Sequence, residues 1–511
     1  MTILRYADYE PRGAEFDADV VVVGTGAGGA STGAILAEAG LDVLFCEEGG
    51  YHPTGSFNPY MTESMSRLYR DSGTTSILGT PNIPYVEGRC VGGSTTLNGG
   101  MAYRAPDHVL DDWAATTGDP TLGTAGMERH FGMVEESIHA GPQHATSVGD
   151  DNRIMYQGAQ KLGWKSAVNT RNQSHCVGTN NCILGCPTGA KQSTLVSYMP
   201  RAIRAGARCL TEVRVERLLI EGGRCVGVEG RAVNPRTRAY DRRVRVRARA
   251  VVVSAGAVHT PYLLLRHKLR SRELGRNFLC HPNAKIIAQY PFDVHAWQGV
   301  SQWSQVREFH GDGIVLAENM VPPAPLAATI PWLGREHMDI LERYNQTLVT
   351  GCLVEDSTTG RVHRGPLGMP IVRYDISDWD FQRFIFGTER LAELHFAMGA
   401  DRVILPYRSF HIARSMDEVR RVTPQSLKKS DLELFTVHLM GTTRMGSRPE
   451  SSVVDLDGQL WELPGCYVAD ASVFPTAIGV NPQVTIMALG TRIGERLATR
   501  LMRCRHAAAA A

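Results

Sequence analysis

A glycine-rich turn between a short apolar strand and a helix of small residues constrains this chain most strongly. The run Val20-Val21-Val22-Val23 leads directly into Gly24-Thr25-Gly26-Ala27-Gly28-Gly29, which has the Gly-x-Gly-x-x-Gly spacing of a dinucleotide-binding βαβ unit. Gly24 allows the tight turn, Gly26 lets the backbone approach a pyrophosphate, and Gly29 lets the following helix pack close to the sheet. The free N–H groups at the start of that helix then face the phosphates.

An acidic residue further along the chain completes this unit. A second predicted strand, residues 42–46, brings Glu47 to the end of the sheet, where a carboxylate accepts hydrogen bonds from a ribose diol. A glycine motif alone is weak evidence, because unrelated glycine turns share it. Strand, helix, second strand and acid together favour a nucleotide with a free 2′-hydroxyl, FAD or NAD, over NADP.

Charge and length exclude several classes of partner. The 511 residues include 54 Lys and Arg against 52 Asp and Glu, so no bulk field attracts nucleic acid or anionic lipid. No stretch approaches the roughly 20 uncharged apolar residues that cross a bilayer. Residues 1–17 have neither a basic start nor an apolar run, and the eleven cysteines are odd in number, which favours a reduced, cytoplasmic setting. A chain of this length is expected to form two domains and to act on a small molecule.

Three further segments separate FAD from NAD. A loop of small residues, 88–98, can lie flat against a ring system. A second strand and turn, 250–261, leads into an amphipathic helix, and a strand that ends in Asp470 precedes a long apolar helix at 486–501. A nicotinamide-dependent enzyme needs only one nucleotide-binding segment of this kind per half. In this chain, the later segments return to the first domain at least twice. The pattern therefore favours FAD.

Together these motifs resemble those of the glucose–methanol–choline (GMC) oxidoreductase family over nearly the whole chain. The matching segments, in order, are 88–98 with Arg104, 254–261, 274–282, 438–446, and Asp470 with Asn481 and Pro482. The resemblance implies an α/β fold, in which a Rossmann-like FAD-binding domain is joined to a second α+β substrate domain built on an antiparallel sheet. It also implies FAD-dependent oxidation of an alcohol to a carbonyl.

The resemblance and the glycine motif also imply which residues bind the cofactor. Asp470 is expected at the pyrophosphate or ribityl region, and the backbone near Pro482 and Gln483 at the flavin ring. Val213 is expected to contact the adenine through its backbone. Some relatives attach FAD covalently through a histidine at the first glycine loop, but residues 92–98 contain none, so we expect non-covalent FAD. The complete predicted set is Gly24, Gly26, Gly29, Glu47, Arg89, Gly93, Ser94, Asn98, Val213, Ala255, Asp470, Pro482 and Gln483.

The substrate domain is expected where the nucleotide motifs stop. Alternating runs such as 362–364 and 371–374 predict an antiparallel sheet, and 381–398 predicts a helix. The proline-rich segment 322–334 predicts a loop or lid. The predicted domains are 15–282 for FAD, with a cysteine-bearing insertion at about 169–191, 283–427 for the substrate, and 428–505 for a return segment of the FAD domain.

Alcohol oxidation needs a base within about 3 Å of the hydroxyl, while the carbon transfers a hydride to flavin N5. Histidine, with an ordinary pKa of about 6.5, is the usual choice. His438 enters a Gly-Thr turn and Asn481 follows 43 residues later, and the resemblance implies that both reach the ring. We assign His438 as the base and Asn481 as the donor that orients the hydroxyl. His281, beside Pro282, is interpreted as structural, and Arg89 as packing the glycine loop.

Three cysteines in the predicted insertion leave alternatives open. The run contains Cys176, Cys182 and Cys186, and a proline follows the last of these cysteines, as in iron–sulfur ligand runs. The stretch resembles those of family members with a three-iron cluster and those of members without one. Zinc would lack a fourth ligand unless His175 supplied it. We favour a structural loop and predict no metal, with an iron–sulfur cluster, zinc or a redox disulfide as the alternatives.

The substrate is the least constrained feature. The mixture of aromatic, histidine and acidic residues in 283–427 favours a sugar, an aminosugar such as an aminoglycoside hydroxymethyl, or another polyol. The resemblance extends to oxidases of antibiotic biosynthesis. An aromatic or sterol alcohol is the alternative, and the electron acceptor is either oxygen or a protein or quinone. A cyanohydrin lyase and a flavin protein used only for electron transfer are the alternatives of another class.

Overall fold

The chain is described from a computed structural model over residues 2–330, 332–409, 412–422 and 425–509. A mostly parallel sheet, here called the nucleotide sheet, forms around the predicted strand of valines. Residues 20–23 are buried, as expected at the centre of a parallel sheet. Its strands, in spatial order, are Ile3–Leu4, Arg208–Leu210, Val43–Cys46, Ala14–Val23, Tyr240–Val253, Arg224–Val233 and Val213–Glu221, and Cys466–Val468 also pairs with Tyr240–Val253. The last two strands of this order are antiparallel to their neighbours and the other pairs are parallel.

Helices Ala27–Glu38, Tyr198–Arg204 and Gln483–Ala509 pack beside the nucleotide sheet. The first begins directly after Gly26, whose extended backbone ends the glycine turn. The last is longer than the predicted helix at 486–501. Within the described ranges, no helix is both long and apolar enough to cross a membrane.

The second sheet is antiparallel, as the sequence predicts. Helix Asp378–Ala397, predicted at 381–398, packs against one of its faces. Ser377 caps this helix by accepting a hydrogen bond from the backbone N–H of Asp380. The strands, in spatial order, are Ile412–Ala413, Arg402–Ile404, Asn283–Gln289, Thr347–Val354, Ile314–Asn319, Ser304–Val306 and Ser166–Val168, and Leu434–Phe435 pairs with Asn283–Gln289. The predicted α/β fold with an antiparallel second sheet is therefore confirmed.

The edge strand Ser166–Val168 of this sheet comes from the segment that the sequence assigns to the FAD domain. A smaller sheet contains Arg276–Phe278, Gly360–Arg364 and Pro370–Arg373, which include the predicted strands at 362–364 and 371–374. The other strands are Thr75–Ile77, Ile83–Tyr85, Ala140–Pro142 and Thr170–Asn172, and the other α-helices are Met61–Leu68, Asp107–Thr117, Thr124–Ser137, Asp150–Lys161, Gly256–Leu264, Pro323–Thr329, Arg335–Glu342 and Met416–Val419.

Two predicted loops contain helical turns. The segment 322–334, predicted to be a loop or lid, contains the helix Pro323–Thr329, which has proline in its first turn, where its missing N–H costs nothing. Leu326 of this helix is buried against a small apolar cluster that includes Ile287 and Ile404. The flavin loop, 88–98, contains the short 3₁₀ helix Gly93–Thr96.

The closest approach between the glycine turn and the return segment occurs at Gly28. A methyl group on Gly28 would lie 1.6 Å from the backbone oxygen of Ala469, so Gly28→Ala must displace one backbone. We expect a loss of about 1–3 kcal/mol in the free energy of unfolding, as in other overpacked sites, measured by urea denaturation of the protein without added cofactor. Gly132→Ala is the matched control, because Gly132 is exposed in helix Thr124–Ser137 and its added methyl meets no atom. Equal stability of Gly28→Ala and the native protein would contradict this packing.

Candidate active site

A cavity of about 1100 Å³ lies between the nucleotide sheet and the second sheet. Small-molecule sites usually occupy roughly 300–1,000 Å³, so this cavity has room for a dinucleotide together with a substrate. Most of the predicted residues line it: Gly24, Gly26, Glu47, Gly93, Ser94, Asn98, Val213, Ala255, His438, Asp470, Asn481, Pro482 and Gln483.

Gly26 has the surroundings expected of a residue that faces a cofactor. A methyl group on Gly26 would meet no atom within 4 Å, so its Cα faces open space. Gly93 of the flavin loop comes so close that its own added methyl would lie 2.9 Å from the Cα of Gly26. The two glycine segments therefore lie together along the cavity. This cradle fits a flavin nucleotide.

Two residues of the predicted cofactor set, Gly29 and Arg89, do not line the cavity. A methyl group on Gly29 would lie 2.2 Å from the Gly24 oxygen, so Gly29 serves the close packing of helix on strand. The side chain of Arg89 is buried, and burial lowers its pKa. These surroundings fit the packing roles that the sequence also indicates for Gly29 and Arg89, and their contact with the cofactor stays a prediction.

Glu47 holds the glycine turn in place. Its Oε2 accepts hydrogen bonds from the backbone N–H and the hydroxyl of Thr25, at 3.0 and 2.7 Å, and its Oε1 accepts from Gly49 N–H at 2.9 Å. Burial raises the pKa of this carboxyl. The Thr25 hydroxyl in turn accepts from Gly92 N–H at 3.1 Å. The contact of Glu47 with a ribose stays a prediction, and Thr25 is a positioning residue that the sequence analysis missed.

Asp470 joins the return segment to the second glycine turn. Its Oδ2 accepts hydrogen bonds from Gly256 N–H at 2.9 Å and from the Thr260 hydroxyl, and its Oδ1 accepts from Ser472 N–H at 2.9 Å. Gly256 has φ of +85°, a conformation that favours glycine. Asp470 therefore lines the cavity while its carboxylate oxygens organise the protein around it.

The flavin loop is tied to the return segment and to the cysteine-bearing segment. The Asn98 amide donates to Gln483 Oε1, and the Nε2 of Gln483 is buried without a partner among the described residues. Lys191 Nζ donates to the backbone oxygens of Thr96 and Asn98 at 2.8 Å, and to that of Cys182 at 2.5 Å. Burial lowers the pKa of Lys191 to about 8. A single buried ammonium thus holds the predicted insertion against the flavin loop.

The three cysteines of that segment have free thiols and border one very small cavity. Arg171 donates to the Sγ of Cys182 at 3.5 Å, and the backbone N–H of Lys191 donates to the Sγ of Cys186 at 3.4 Å. Burial raises the pKa of Cys186, but hydrogen bonds from the backbone N–H groups of Lys191 and Thr188 and from the Thr188 hydroxyl lower it. The net effect is a lowered pKa. In the described part of the chain no group of three or more His, Cys, Asp or Glu residues is arranged to bind a metal. The structural interpretation of Cys176, Cys182 and Cys186 stays a prediction.

His438 and Asn481 lie in direct contact. The Asn481 amide nitrogen is 3.1 Å from His438 Nε2, and because an amide nitrogen only donates, the lone pair of Nε2 accepts this hydrogen bond. His438 is 8% exposed. Burial, together with the charge of Lys285, lowers its pKa to about 4. The imidazole is therefore neutral at neutral pH and able to accept a proton.

His281 packs edge-on against His438, with ring centroids 5.6 Å apart. Its Nε2 accepts a hydrogen bond from Gly479 N–H at 3.2 Å. Burial and the neighbouring His438 lower its pKa well below the ordinary value, so His281 is neutral. The interpretation of His281 as a structural residue agrees with these contacts.

Sequence reasoning missed a buried ionic cluster at the nucleotide end of the cavity. Arg70 lies 3.0 Å from a Glu48 oxygen and 3.7 Å from a Glu87 oxygen, and His259 lies 3.6 Å from Glu87. Burial raises the pKa of Glu87 to about 7, whereas Arg70 together with neighbouring cations such as Arg214 outweighs the effect of burial on Glu48 and lowers its pKa to about 2. In sequence, Glu48 follows Glu47 and Glu87 precedes the flavin loop, but no spacing points to Arg70.

Matches to known proteins agree with this architecture. The N- and C-terminal models of the GMC oxidoreductase family match residues 65–283 and 356–490, and the chain belongs to this family. It is therefore an oxidoreductase, and GMC oxidoreductases are flavoproteins that use FAD.

Individual relatives cover nearly the whole chain. An uncharacterized GMC-type oxidoreductase of Sinorhizobium fredii is 33% identical over 97% of both chains. A long-chain-alcohol oxidase of Arabidopsis thaliana is 27% identical over 95% of this chain and 67% of its own. The crystal structure of pyridoxine 4-oxidase from Mesorbium loti has a TM-score of 0.70 at 18% identity, covering 94% of this chain and 98% of that one. The last similarity concerns the fold.

We expect Gly26→Val to fold but to lose FAD. The added side chain meets no protein atom at its Cβ, so it extends into the space where the pyrophosphate approaches the backbone. The measurement is the flavin absorbance per protein chain after purification, together with the urea midpoint of the apoprotein. A folded variant with full flavin content would contradict the assignment of the glycine turn.

The pKa of His438 sets the pH dependence of flavin reduction by a neutral alcohol. Since burial and Lys285 hold this pKa at about 4, the neutral base is present above that pH and is lost as the pH falls through it. We expect the reduction rate, measured under nitrogen by stopped flow, to drop only below about pH 5. A drop centred near the ordinary value, about 6.5, would contradict the burial of the base.

Proposed function

We propose that this protein oxidises the alcohol group of a sugar or another polyol to a carbonyl, with non-covalently bound FAD and with His438 as the base. The observation that supports the proposal most is the contact between His438 Nε2 and the Asn481 amide. Both side chains line the cavity that also contains the glycine turn and the flavin loop. Bound FAD supplies the hydride acceptor.

When the substrate hydroxyl replaces the Asn481 amide as the partner of His438 Nε2, the neutral imidazole accepts the hydroxyl proton there. Its resting pKa of about 4 makes it a weak base, but the substrate oxygen gains negative charge as the proton leaves, and a nearby negative charge raises the pKa of an imidazole. The Asn481 amide donates to the same oxygen and stabilises that charge. The two residues therefore act on one atom from adjacent positions.

Neighbouring residues hold the base in place. His438 lies against His281, and its backbone N–H donates to the Thr436 hydroxyl at 3.2 Å. His281 is in turn fixed by Gly479. These contacts hold the imidazole in one orientation, which is the geometric requirement for general-base catalysis.

The polyol part of the proposal rests on amide side chains along the second sheet and the preceding loop. Gln302, Gln305 and Asn319 line the cavity and can exchange hydrogen bonds with hydroxyl groups. An aminosugar is a weaker candidate than a neutral sugar, because Lys285 lines the same cavity and opposes a second cation.

A second candidate is an aliphatic primary alcohol. Much of the cavity-facing side of the second sheet is apolar and includes Ile287, Val315, Ala317, Val349 and Leu353. The relatives named long-chain-alcohol oxidases agree with such a substrate. Flavin bleaching under nitrogen by a panel of sugars, polyols, aliphatic, benzylic and sterol alcohols separates these classes. No bleaching by any alcohol, with aldehyde and cyanide released from a cyanohydrin, would indicate a lyase instead.

We expect His438→Ala to slow flavin reduction by at least about a hundredfold with FAD still bound, because a positioned general base contributes on the order of 10²–10⁴. The measurement is anaerobic stopped flow with the best alcohol of the panel. His363→Ala is the matched control, since His363 lies on strand Gly360–Arg364 outside the cavity. A native rate for His438→Ala would place the base elsewhere.

A further inference from the structure

Lys285 places an ammonium group on the cavity-facing side of the second sheet. It lies in strand Asn283–Gln289, where the alternate residues Asn283, Lys285 and Ile287 line the cavity, as the two-residue period of a strand requires. Neighbouring strands contribute small or apolar residues to the same face. Among the described strand residues of the second sheet that line the cavity, Lys285 is the charged one.

The ammonium lies over Gly351 on the adjacent strand. A methyl group on Gly351 would lie 2.9 Å from Lys285 Nζ and 2.5 Å from Asn283 Oδ1. The absence of a side chain at Gly351 thus makes room for both polar groups at one place. An ammonium and an amide converge there on a sheet face that is otherwise mostly apolar.

Both groups lack protein partners. Within the described ranges, Lys285 Nζ makes no ion pair or hydrogen bond, and the half-buried Lys285 borders the cavity, whereas Asn283 Oδ1 is buried without a donor. Lys191, by contrast, donates to three backbone oxygens. An ammonium that faces a cavity without a protein partner is available to a ligand, and the amide beside it can contribute its Nδ2 donor.

The electrostatics specify the charge of that ligand. Burial lowers the pKa of Lys285 to about 7, and an anion at the ammonium offsets this cost. The same charge lowers the pKa of His438, so the two groups act within one cavity. A single ammonium with one amide matches a monoanion, whereas phosphate groups are usually bound by several cations or backbone N–H groups.

We infer that Lys285 and Asn283 bind a carboxylate of the substrate, so that the alcohol oxidised at His438 belongs to a hydroxy acid. This inference rests on the proposed function. The carboxylate accepts hydrogen bonds from Lys285 Nζ and from Asn283 Nδ2, the ammonium can also donate to the neighbouring Asn283 Oδ1, and the hydroxyl meets His438 and Asn481 on the return segment. The second sheet and the return segment thus hold the two ends of one molecule.

The first experiment measures binding without turnover. Hexanoate and hexanamide have the same shape and differ in charge, and their binding to the oxidised holoenzyme at pH 6 is followed by the change in flavin absorbance. The native enzyme is expected to bind hexanoate at least tenfold more tightly than hexanamide. Lys285→Met should bring this ratio close to one, and Lys285→Arg should retain most of it. Lys268→Met, at an exposed lysine, is the control and should keep the native ratio.

A second variant acts on the same site without removing the lysine. Gly351→Ala introduces a methyl group at the position of the ammonium, so it should also lower the hexanoate-to-hexanamide ratio. Equal binding of the two ligands by the native enzyme, or an unchanged ratio in both Lys285→Met and Gly351→Ala, would overturn the anion site.

Flavin reduction by 6-hydroxyhexanoate and by hexane-1,6-diol then separates this inference from the proposed function. The native enzyme should reduce its flavin with at least tenfold higher kred/Kd for the hydroxy acid. Reduction by the diol without a preference for the hydroxy acid would refute the carboxylate site and leave alcohol oxidation standing. Tight, Lys285-dependent hexanoate binding without reduction by any alcohol would support the anion site and refute the oxidation.

Discussion

The architecture depends on the hydrogen bonds of one buried carboxylate. Asp470 accepts from Gly256, Thr260 and Ser472, and so joins two segments that lie more than 200 residues apart in the chain. The backbone of Ala469, one residue earlier, is in direct contact with Gly28. A buried polar network of this kind is stable only when all its members are satisfied. The return segment is therefore fixed against both glycine turns at a single place.

The position of His438 and Asn481, the proposed catalytic pair, follows from this connection. Asn481 comes eleven residues after Asp470, and its amide reaches His438 because the same segment is fixed at its start. Burial keeps His438 neutral. It also makes the interaction between charges in the cavity stronger than it would be in water. For this reason the charge of Lys285, which lies on the other sheet, lowers the pKa of His438.

Where chemistry requires particular residues at a particular spacing, sequence reasoning predicted which residues lie together, and their chemical roles stay predictions. The glycine turn at 24–29 and the pair of His438 and Asn481 are of this kind. It failed where only the tertiary structure determines what surrounds a residue. The two-residue period of strand Asn283–Gln289 does not tell which face of the strand borders the cavity, so nothing in the sequence pointed to Lys285. Helix Pro323–Thr329 was missed because prolines that usually break helices are tolerated in a first turn.

The central claim is that His438 and Asn481 act together on one substrate oxygen, and a double-mutant cycle tests it most directly. The anaerobic rate of flavin reduction is measured for the native enzyme, His438→Ala, Asn481→Ala and the double variant. Residues that act as a unit show strongly non-additive effects, so the double variant should be hardly slower than His438→Ala alone. If the double variant lost a factor in rate equal to the product of the two single losses, the residues would act independently. That result would contradict the account.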